Sequence, residues 1–451
     1  MKLPAYLLSL PFNSRLRSRA RIWSVPLAYI LAATLLGHLI PQINFIIFPR
    51  LFLIDAGTAS ALLSTISSGM IAFTGFVFSM VFVLIQFGST TYTPRLAGYL
   101  LQDPVVRHAL GIFTGTFLFT LNAASYVNVR ASEAVPNLAV IFALLLVTAS
   151  SVMFLALIER VTSLRVSSVL HMVGSRGRHV IERMYTRRFA AGESEDLTDH
   201  QSMLEQVPLP LPPITQSLVH SGEPGIILQY HMDQLLILAQ RAQGLIEIRY
   251  PPGDTLPDGA VILNLRGARR TIRPAFLRAA VELGHERTIE QDPKYALRLI
   301  VDIAIRALSP AINDPTTAVQ ALDELDDLLH RLGTRHLDVG ILRSRQGAIR
   351  VLYPTPDWED FLSLAIDEIR QYGAGSIQVM RRLQALLQDL LDVLPAERAA
   401  PVERYLQRVK NSVQHHFVDF QDRLSAQQAD RQGMGLSRPI EALDDQTPPA
   451  A

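Results

Sequence analysis

The chain has 451 residues, of which 49% are hydrophobic and 18% charged, and a formal net charge of +1. This length predicts two or three structural units, and the balanced charge lacks the basic excess that nucleic-acid-binding domains usually carry. Because the sequence contains no cysteine, disulfides, thiolate metal sites and a cysteine nucleophile are excluded.

The N-terminal part of the chain is apolar, since residues 22–160 include few charged residues and the rest of the chain carries most of them. A helix needs about 20 mostly apolar residues to cross a bilayer. Four segments satisfy this requirement: residues 22–40, 59–87, 105–127 and 135–158. None has an acidic or basic residue in its middle, so we predict four transmembrane helices in the region 22–160. The first is predicted to be a retained anchor rather than a cleaved signal peptide.

Basic residues flank these helices mainly on one side of the membrane. They precede the first helix, lie between the second and third, and follow the fourth: Lys2, Arg15, Arg17, Arg19, Arg21, Arg95, Arg107, Arg160, Arg165, Arg176 and Arg178. The other two loops contain only Arg50 and Arg130. Because cytoplasmic loops carry the excess of Lys and Arg, we predict a multi-pass protein of the bacterial inner (plasma) membrane. Its basic N-terminus (residues 1–21) and its C-terminus are predicted to be cytoplasmic.

The second predicted helix carries small and polar residues at spacings of four and seven, which place them on one stripe: Ser64, Ser68, Gly75, Ser79 and Gln86. Such a stripe either lets helices pack closely and hydrogen-bond to one another or lines a polar path through an oligomer. In the third helix, Gly111 and Gly115 form a small-xxx-small pair that predicts a close helix contact. The spans lack the ionisable relay of proton-coupled transporters, which favours passive conduction, or no conduction, over driven transport.

The C-terminal part of the chain predicts a mixed α+β cytoplasmic domain over residues 218–424. A basic helical stalk (161–188) and a proline-rich linker (189–217) precede this domain, and a polar, disordered tail (425–451) follows it. Apolar periodicity predicts strands at 226–230, 245–250 and 260–265 and a short strand with a turn within 350–356. The same signals, with capping residues, predict helices at 232–243, 293–308, 315–332, 358–372, 376–393 and 401–424.

Polar residues are densest around two Asp-Pro pairs in this domain. Asp292 and Asp314 each precede a proline, the pattern of a helix N-cap followed by proline at the first helical position. The neighbouring polar residues are Glu286, Arg287, Gln291, Arg306, Ser309, Asn313, Thr316 and Thr317. They serve either capping and loop closure or a ligand site, in which a helix N-terminus and Arg306 bind a small anion. The carboxylate of Asp314 would instead suit a cation or a hydrogen-bond network, and the sequence leaves these alternatives open.

Three segments carry a resemblance to a known family. Residues 78–86 read FSMVFVLIQ and run into STTYTPRL at 89–96, residues 287–293 read RTIEQDP, and residues 307–318 read ALSPAINDPTTA. With these segments the chain resembles a bacterial family of predicted membrane proteins, domain of unknown function 2254, over roughly residues 15–425. The resemblance implies a four-helix membrane region and a cytoplasmic domain, and it brings no established activity.

Two functions are compatible with these patterns. The first is a channel-like oligomeric conduit tuned by its cytoplasmic domain. The second is a non-conducting, membrane-anchored sensor or scaffold whose domain binds a small anion, a nucleotide or a protein partner. An enzyme is not expected, because the sequence lacks GxSxG, HExxH, P-loop and Rossmann glycine motifs. We expect no cofactor and no metal, and we expect the partners to be the lipid bilayer, further copies of the chain and a small anion, but not nucleic acid.

Overall fold

The computed structural model describes residues 14–47, 54–91, 103–129, 136–162, 165–189 and 210–435. These residues form two compact units, one within residues 12–165 and one from residue 166 onward. Several predictions concern residues outside the described ranges: Lys2 and the start of the basic N-terminus, Arg50, Arg95, Arg130, most of the predicted linker, and residues 436–451 of the predicted tail.

The first unit consists, in its described residues, of four long helices: α1 (Ser14–Ile47), α2 (Ala56–Thr91), α3 (Pro104–Val129) and α4 (Asn137–Thr162). Each contains a stretch long and apolar enough to cross a membrane: Ser24–Asn44, Ala56–Val83, Pro104–Val127 and Asn137–Arg160. The prediction of four helices long and apolar enough to span a membrane is confirmed. Helix α1 continues past Pro41, where the sequence predicts its end, because long apolar helices tolerate a proline when neighbouring groups satisfy the freed backbone.

Helix α3 lies at the centre of the first unit and contacts the other three helices. Its glycines face α1, where a side chain at Gly111 would collide with the ring of Tyr29 and where Gly115 lies against Ala33. On another side, Thr116 of α3 shares a buried hydrogen bond of 3.0 Å with Ser150 of α4. The predicted close helix contact at Gly111 and Gly115 is therefore present, and it joins α3 to α1.

The second unit is a mixed α/β region. Its described helices are α5 (Val166–Met184), α6 (Met232–Ala242), α7 (Pro274–Ala279), α8 (Pro293–Ala307), α9 (Pro315–Gly333), α10 (Trp358–Tyr372), α11 (Ile377–Val393), α12 (Ala396–His416) and α13 (Phe420–Gln427). Its described strands are β1 (Ile214–Val219), β2 (Gly225–Tyr230), β3 (Leu245–Ile248), β4 (Thr255–Leu256), β5 (Val261–Arg266), β6 (Val281–Gly284), β7 (Ile341–Arg343) and β8 (Ile349–Leu352).

The strands form two sheets. The larger has the order β1-β5-β3-β8-β7, in which β3 and β8 are parallel and the other neighbours antiparallel. The smaller has the antiparallel order β4-β2-β6. Strand β5 is an inner strand, and its residues Ile262, Leu263 and Leu265 are buried. Burial of consecutive residues is expected where both faces of a strand are covered.

The helical core of the second unit is built around α8 and α9. Each presents a broad apolar face, and both contact α5 and α10, while α9 also contacts α11. Ile300 of α8, Leu325 of α9, Ile366 of α10 and Leu386 of α11 are fully buried. Within the predicted stalk (161–188), residues 166–184 form α5, which belongs to this core, and Arg178 donates hydrogen bonds to carboxylates of α9.

Two boundaries differ from the prediction, the first through a tertiary contact and the second through a local helix cap. Residues 214–217 of the predicted linker belong to β1, which antiparallel hydrogen bonds to β5 hold in place. The single helix predicted at 401–424 is interrupted after His416. There Asp419 accepts the backbone N–H groups of Gln421 and Asp422 and starts the separate helix α13.

The tail predicted to be disordered from residue 425 is ordered as far as Gly435. Buried Asp430 accepts the N–H of Gln432 at 3.1 Å and that of Gly435. The N–H of Asp430 donates to the carbonyl of Arg381 on α11 at 3.3 Å. A carboxylate that binds N–H groups of its own segment and a main-chain hydrogen bond to α11 thus order residues whose composition suggested disorder.

Candidate functional site

The predicted polar stripe lies on the exposed face of α2, and we call it the α2 stripe. Its five members are all exposed: Ser64, Ser68, Gly75, Ser79 and Gln86. The opposite face of α2 carries Leu63, Ser67, Met70 and Val77, which are buried in the first unit. The α2 stripe therefore does not serve packing among the described helices of its own chain.

Small size and satisfied hydroxyl donors make the α2 stripe suitable for contact with another helix. Ser68 Oγ donates to the carbonyl of Ser64 at 2.8 Å, and Ser79 Oγ donates to that of Gly75 at 3.1 Å. These bonds satisfy the hydroxyl hydrogens in an apolar medium, and each oxygen can still accept a hydrogen bond. A side chain at Gly75 would meet nothing in the described chain, so a helix of another molecule can approach closely there.

Both predicted Asp-Pro caps are present, and the first is buried. Asp292 accepts the N–H of Tyr295 at 3.3 Å and forms an ion pair with Arg287. The guanidinium of Arg287 also lies 5.2 Å from the ring centre of Tyr295. Asp292 is 2% exposed, and this burial raises the pKa of its carboxyl group, although Arg287 acts in the opposite direction.

Gly253 is required at this buried cap, and it lies in a Pro-Pro-Gly-Asp segment, a composition typical of turns. Its φ of +94° lies in the left-handed region, which costs glycine little. A Cβ atom at this position would collide with Asp292 Oδ2 and Arg287 Nε. The turn signal at residues 251–254 was visible in the sequence, but its contact with Asp292 was not.

Gln291 binds backbone rather than a ligand. Its Nε2 donates to the carbonyl of Tyr230 at 3.1 Å, and its Oε1 accepts the N–H of Tyr230 at 3.0 Å. The adjacent cavity, which Tyr185, Tyr353 and Asp292 help to line, measures about 20 Å³. A space of that size holds about one water molecule, so the first cap offers no room for a small-molecule ligand.

The second cap closes the loop between α8 and α9. Asp314 accepts the N–H of Thr317 at 3.1 Å and its hydroxyl at 2.6 Å. Asn313 adopts a φ of +49°, which suits the turn that reverses the chain before α9. The carboxylate of Asp314 thus occupies the helix N-terminus at which an anion was expected.

The side chains of the remaining predicted residues have separate surroundings and partners. Ser309 Oγ donates to the main-chain carbonyl of Arg306 at 2.7 Å, and the side chains of Glu286 and Thr316 are exposed. Arg306 Nε is buried without a hydrogen-bond partner among the described residues. The geometry favours capping and loop closure over an anion site at residues 309–317. In the described ranges no three His, Asp or Glu side chains lie close enough to hold a metal ion.

We expect Asp292→Ala to lower the free energy of unfolding by about 2–3 kcal/mol and Asp314→Ala by about 1 kcal/mol. Both variants lose a helix cap, but Asp292→Ala also leaves the half-buried Arg287 without its carboxylate partner. Thermal unfolding of the full chain in detergent, followed by the fluorescence of its two tryptophans, Trp23 and Trp358, compares the two. Equal losses would show that the ion pair with Arg287 adds nothing to the cap.

Comparison with known proteins places the chain among membrane proteins. Residues 19–389 match the family model described as predicted membrane protein (DUF2254). Uncharacterized proteins of Mycobacterium bovis and Mycobacterium tuberculosis are each 27% identical to the chain over 378 residues, which is 81% of this chain and 70% of the relative. No solved structure matches the chain.

Proposed function

The chain belongs to the DUF2254 family of predicted membrane proteins, and we propose that it acts as a channel-like conduit. Several copies assemble side by side in the bacterial inner membrane, with their α2 stripes turned toward a shared axis. Ions or small polar solutes cross passively along that axis. The second unit lies in the cytoplasm and tunes the passage.

The exposure of the α2 stripe carries this proposal. Serine hydroxyls, a glycine and the amide of Gln86 lie on a helix surface that the rest of the described chain leaves uncovered. A single chain would turn this surface toward lipid tails, whereas further copies would cover it and allow close approach at Gly75. Uncharged polar groups that several copies contribute around one axis can replace part of the hydration shell of a solute.

Passive passage is favoured over driven transport by the sequence of the spans. Their charged residues lie near the ends, at Arg107 in the third span and at Glu159 and Arg160 in the fourth. Proton-coupled transporters usually place an ionisable relay deep in the bilayer. A conduit needs no such relay, because its solutes move down their own gradients.

The distribution of Lys and Arg supports cytoplasmic positions for both termini. Arg165, Arg176 and Arg178 follow the last span, and basic residues close to a span are retained on the cytoplasmic side. We also propose that the protein is not an enzyme and binds no nucleic acid, because the sequence carries none of the catalytic motifs named above and no basic excess.

Disulfide cross-linking tests the assembly. Because the chain has no cysteine, a single introduced cysteine reports one position. We expect Ser68→Cys, on the α2 stripe, to form an oxidant-dependent disulfide between copies in native membranes. Ser67→Cys is the matched control, since Ser67 is its neighbour and is 7% exposed, facing its own chain. Cross-linking to the same extent at both positions, or at neither, would contradict an assembly through the α2 stripe.

Access of water to the α2 stripe distinguishes a conduit from an oligomer that has no water-filled path. A charged methanethiosulfonate reacts with a thiolate, and a thiolate forms in water rather than in lipid. We expect the reagent to modify Ser79→Cys in reconstituted vesicles and to alter the conductance of planar bilayers that contain this variant. Val152→Cys is the control, because Val152 of α4 is 63% exposed on an apolar surface. The conduit would be rejected if the reagent did not modify Ser79→Cys and planar bilayers containing the wild type showed no conductance.

A further inference from the structure

A basic cleft, which we call the α10–α12 cleft, lies between these two helices of the second unit. It has a volume of about 320 Å³ and is lined by Arg370 of α10 and by Arg408, Asn411, Ser412, His415 and His416 of α12. No carboxylate belongs to this lining in the described part of the chain. Four of these six lining side chains are arginines or histidines, and the other two are neutral and polar.

The two arginines of the cleft share one carboxylate, that of Asp367. Arg408 Nη2 lies 2.6 Å from Asp367 Oδ1, and Arg370 Nη2 lies 4.0 Å from the same atom. The other oxygen of Asp367 accepts the hydroxyl hydrogens of Tyr405 at 3.3 Å and Ser363 at 3.1 Å. Since one carboxylate neutralises one guanidinium, a positive charge remains uncompensated at the cleft.

Arg370 is half-buried and incompletely paired. Its side chain is 16% exposed, and its Nη1 donates to Ser412 Oγ at 2.8 Å. Its Nε is buried without a hydrogen-bond partner among the described residues, although buried donors are normally paired. Burial, together with the charge of Arg408, lowers the pKa of Arg370. This is the behaviour of a cation that lacks a full counter-ion.

The two histidines are oriented by main-chain carbonyls of their own helix. Nδ1 of His415 lies 2.7 Å from the carbonyl oxygen of Asn411, and Nδ1 of His416 lies 3.1 Å from that of Ser412. Because a carbonyl oxygen only accepts, Nδ1 carries the hydrogen in both rings. Nε2 of each ring remains available, and it becomes a donor when the ring is protonated.

We propose that the α10–α12 cleft binds a phosphoryl group. Two guanidinium groups at one site match both the charge and the bidentate geometry of phosphate oxygens. The amide of Asn411 and the histidine rings supply further donors around them. The phosphoryl group belongs either to a free phosphate compound or to a lipid headgroup, since both present the same oxygens. The site needs no second copy of the chain and stands independently of the conduit.

Equilibrium dialysis of the full chain in a nonionic detergent, with radiolabelled pyrophosphate as the probe, tests the site. We expect saturable binding at one site per chain. Arg408→Gln should weaken this binding about tenfold or more, because it removes a charged donor. Arg408 is 43% exposed, so its replacement leaves the core intact. Arg370→Lys is a second variant, which keeps the positive charge but loses the planar, bidentate donors of the guanidinium group. Arg404→Gln is the matched control on the same helix, because Arg404 is 57% exposed and pairs with Glu359.

Competition distinguishes the two sources of the phosphoryl group. Displacement of pyrophosphate by soluble short-chain phosphatidylglycerol, but not by phosphatidylcholine, would indicate a lipid headgroup. Displacement by orthophosphate alone would indicate a free phosphate compound, and either result supports the site. Absence of saturable binding of both pyrophosphate and phosphatidylglycerol would overturn it. Equal binding by the wild type and by both arginine variants, with unfolding midpoints unchanged, would also overturn it.

Discussion

Replacing Arg382 by methionine is expected to lower the free energy of unfolding of the second unit by about 3–5 kcal/mol. The Arg382 side chain is 4% exposed between α11 and α9. Its Nε donates to Asp323 Oδ1 at 2.7 Å, and its Nη2 donates to Asp326 Oδ2 at 2.7 Å. The substitution leaves the largely buried carboxylate of Asp326 without a counter-ion, and an uncompensated charge in a low-dielectric interior is costly.

The loss at Arg382 should depend on pH. Burial already raises the pKa of Asp326, although Arg382 opposes this effect. Without Arg382 the pKa in the folded state rises further above its value in the unfolded chain. Stability linked to a raised pKa is present below the unfolded value and is lost as the pH rises through the folded value. The difference between wild type and Arg382→Met should therefore be smaller at about pH 5 than at about pH 8.

Thermal unfolding of the full chain in detergent measures both the loss of stability of Arg382→Met and its pH dependence. Near neutral pH we expect the unfolding midpoint of Arg382→Met to fall by about 10 °C. Arg431→Met is the matched control. Arg431 also pairs with a carboxylate of α11, Asp389, at 2.7 Å, but its side chain is 75% exposed. A solvent-exposed pair of this kind contributes less than about 1 kcal/mol. If the two variants lost the same small amount, the pair of Arg382 would be no stronger than a surface ion pair.

Replacing Gly177 by leucine is expected to cost about 3 kcal/mol and to detach α5 from its neighbours. A Cβ atom at Gly177 would lie 3.1 Å from the Cβ of Ala296 on α8 and 3.2 Å from methyl carbons of Leu328 on α9. Both neighbours are in well-packed helices, so the additional carbons of leucine have no space to enter. Helices α5, α8 and α9 approach closely at this point because Gly177 has no side chain.

Detachment of α5 would expose its ion pairs as well as its apolar face. Arg178 donates to Glu324 at 2.8 Å and to Asp327 at 3.0 Å, and these bonds require α5 to lie against α9. We expect trypsin to cleave Gly177→Leu at Arg178 under conditions in which the wild type resists. Ser175→Leu places the same side chain on the exposed face of α5 and should behave like the wild type. Resistance of both variants would show that the core accommodates leucine at Gly177.

The elements that could be predicted from the sequence are those with local signals. The four apolar spans follow from segment length and the lack of charge in their middles. Helices α8 and α9 follow from apolar periodicity and from the Asp-Pro caps at Asp292 and Asp314. The structure has both caps, with side-chain bonds to Tyr295 and Thr317. These signals succeed because a cap and the helix that it starts involve residues within one turn of each other.

Elements that depend on distant partners escaped prediction. Strand β1 lacks a clear alternation and is ordered by pairing with β5, about 50 residues further along the chain. The residues near 430 look disordered by composition, and contacts with Arg381 order them. His415 and His416 are adjacent residues of a predicted helix. Their relation to Arg370 was invisible, because it arises from the packing of α12 against α10.

The sequence by itself determined that the chain has four bilayer-length apolar helices, a mixed α/β region after them, and two Asp-Pro helix starts. Segment length, periodicity and capping chemistry act within a few turns of the chain, so they can be read without the fold. Only the tertiary structure decided which faces of the helices are covered. It left the α2 stripe exposed, buried Arg382 against Asp326, and brought Arg370 to Arg408, because burial depends on which distant elements meet rather than on the residues nearby.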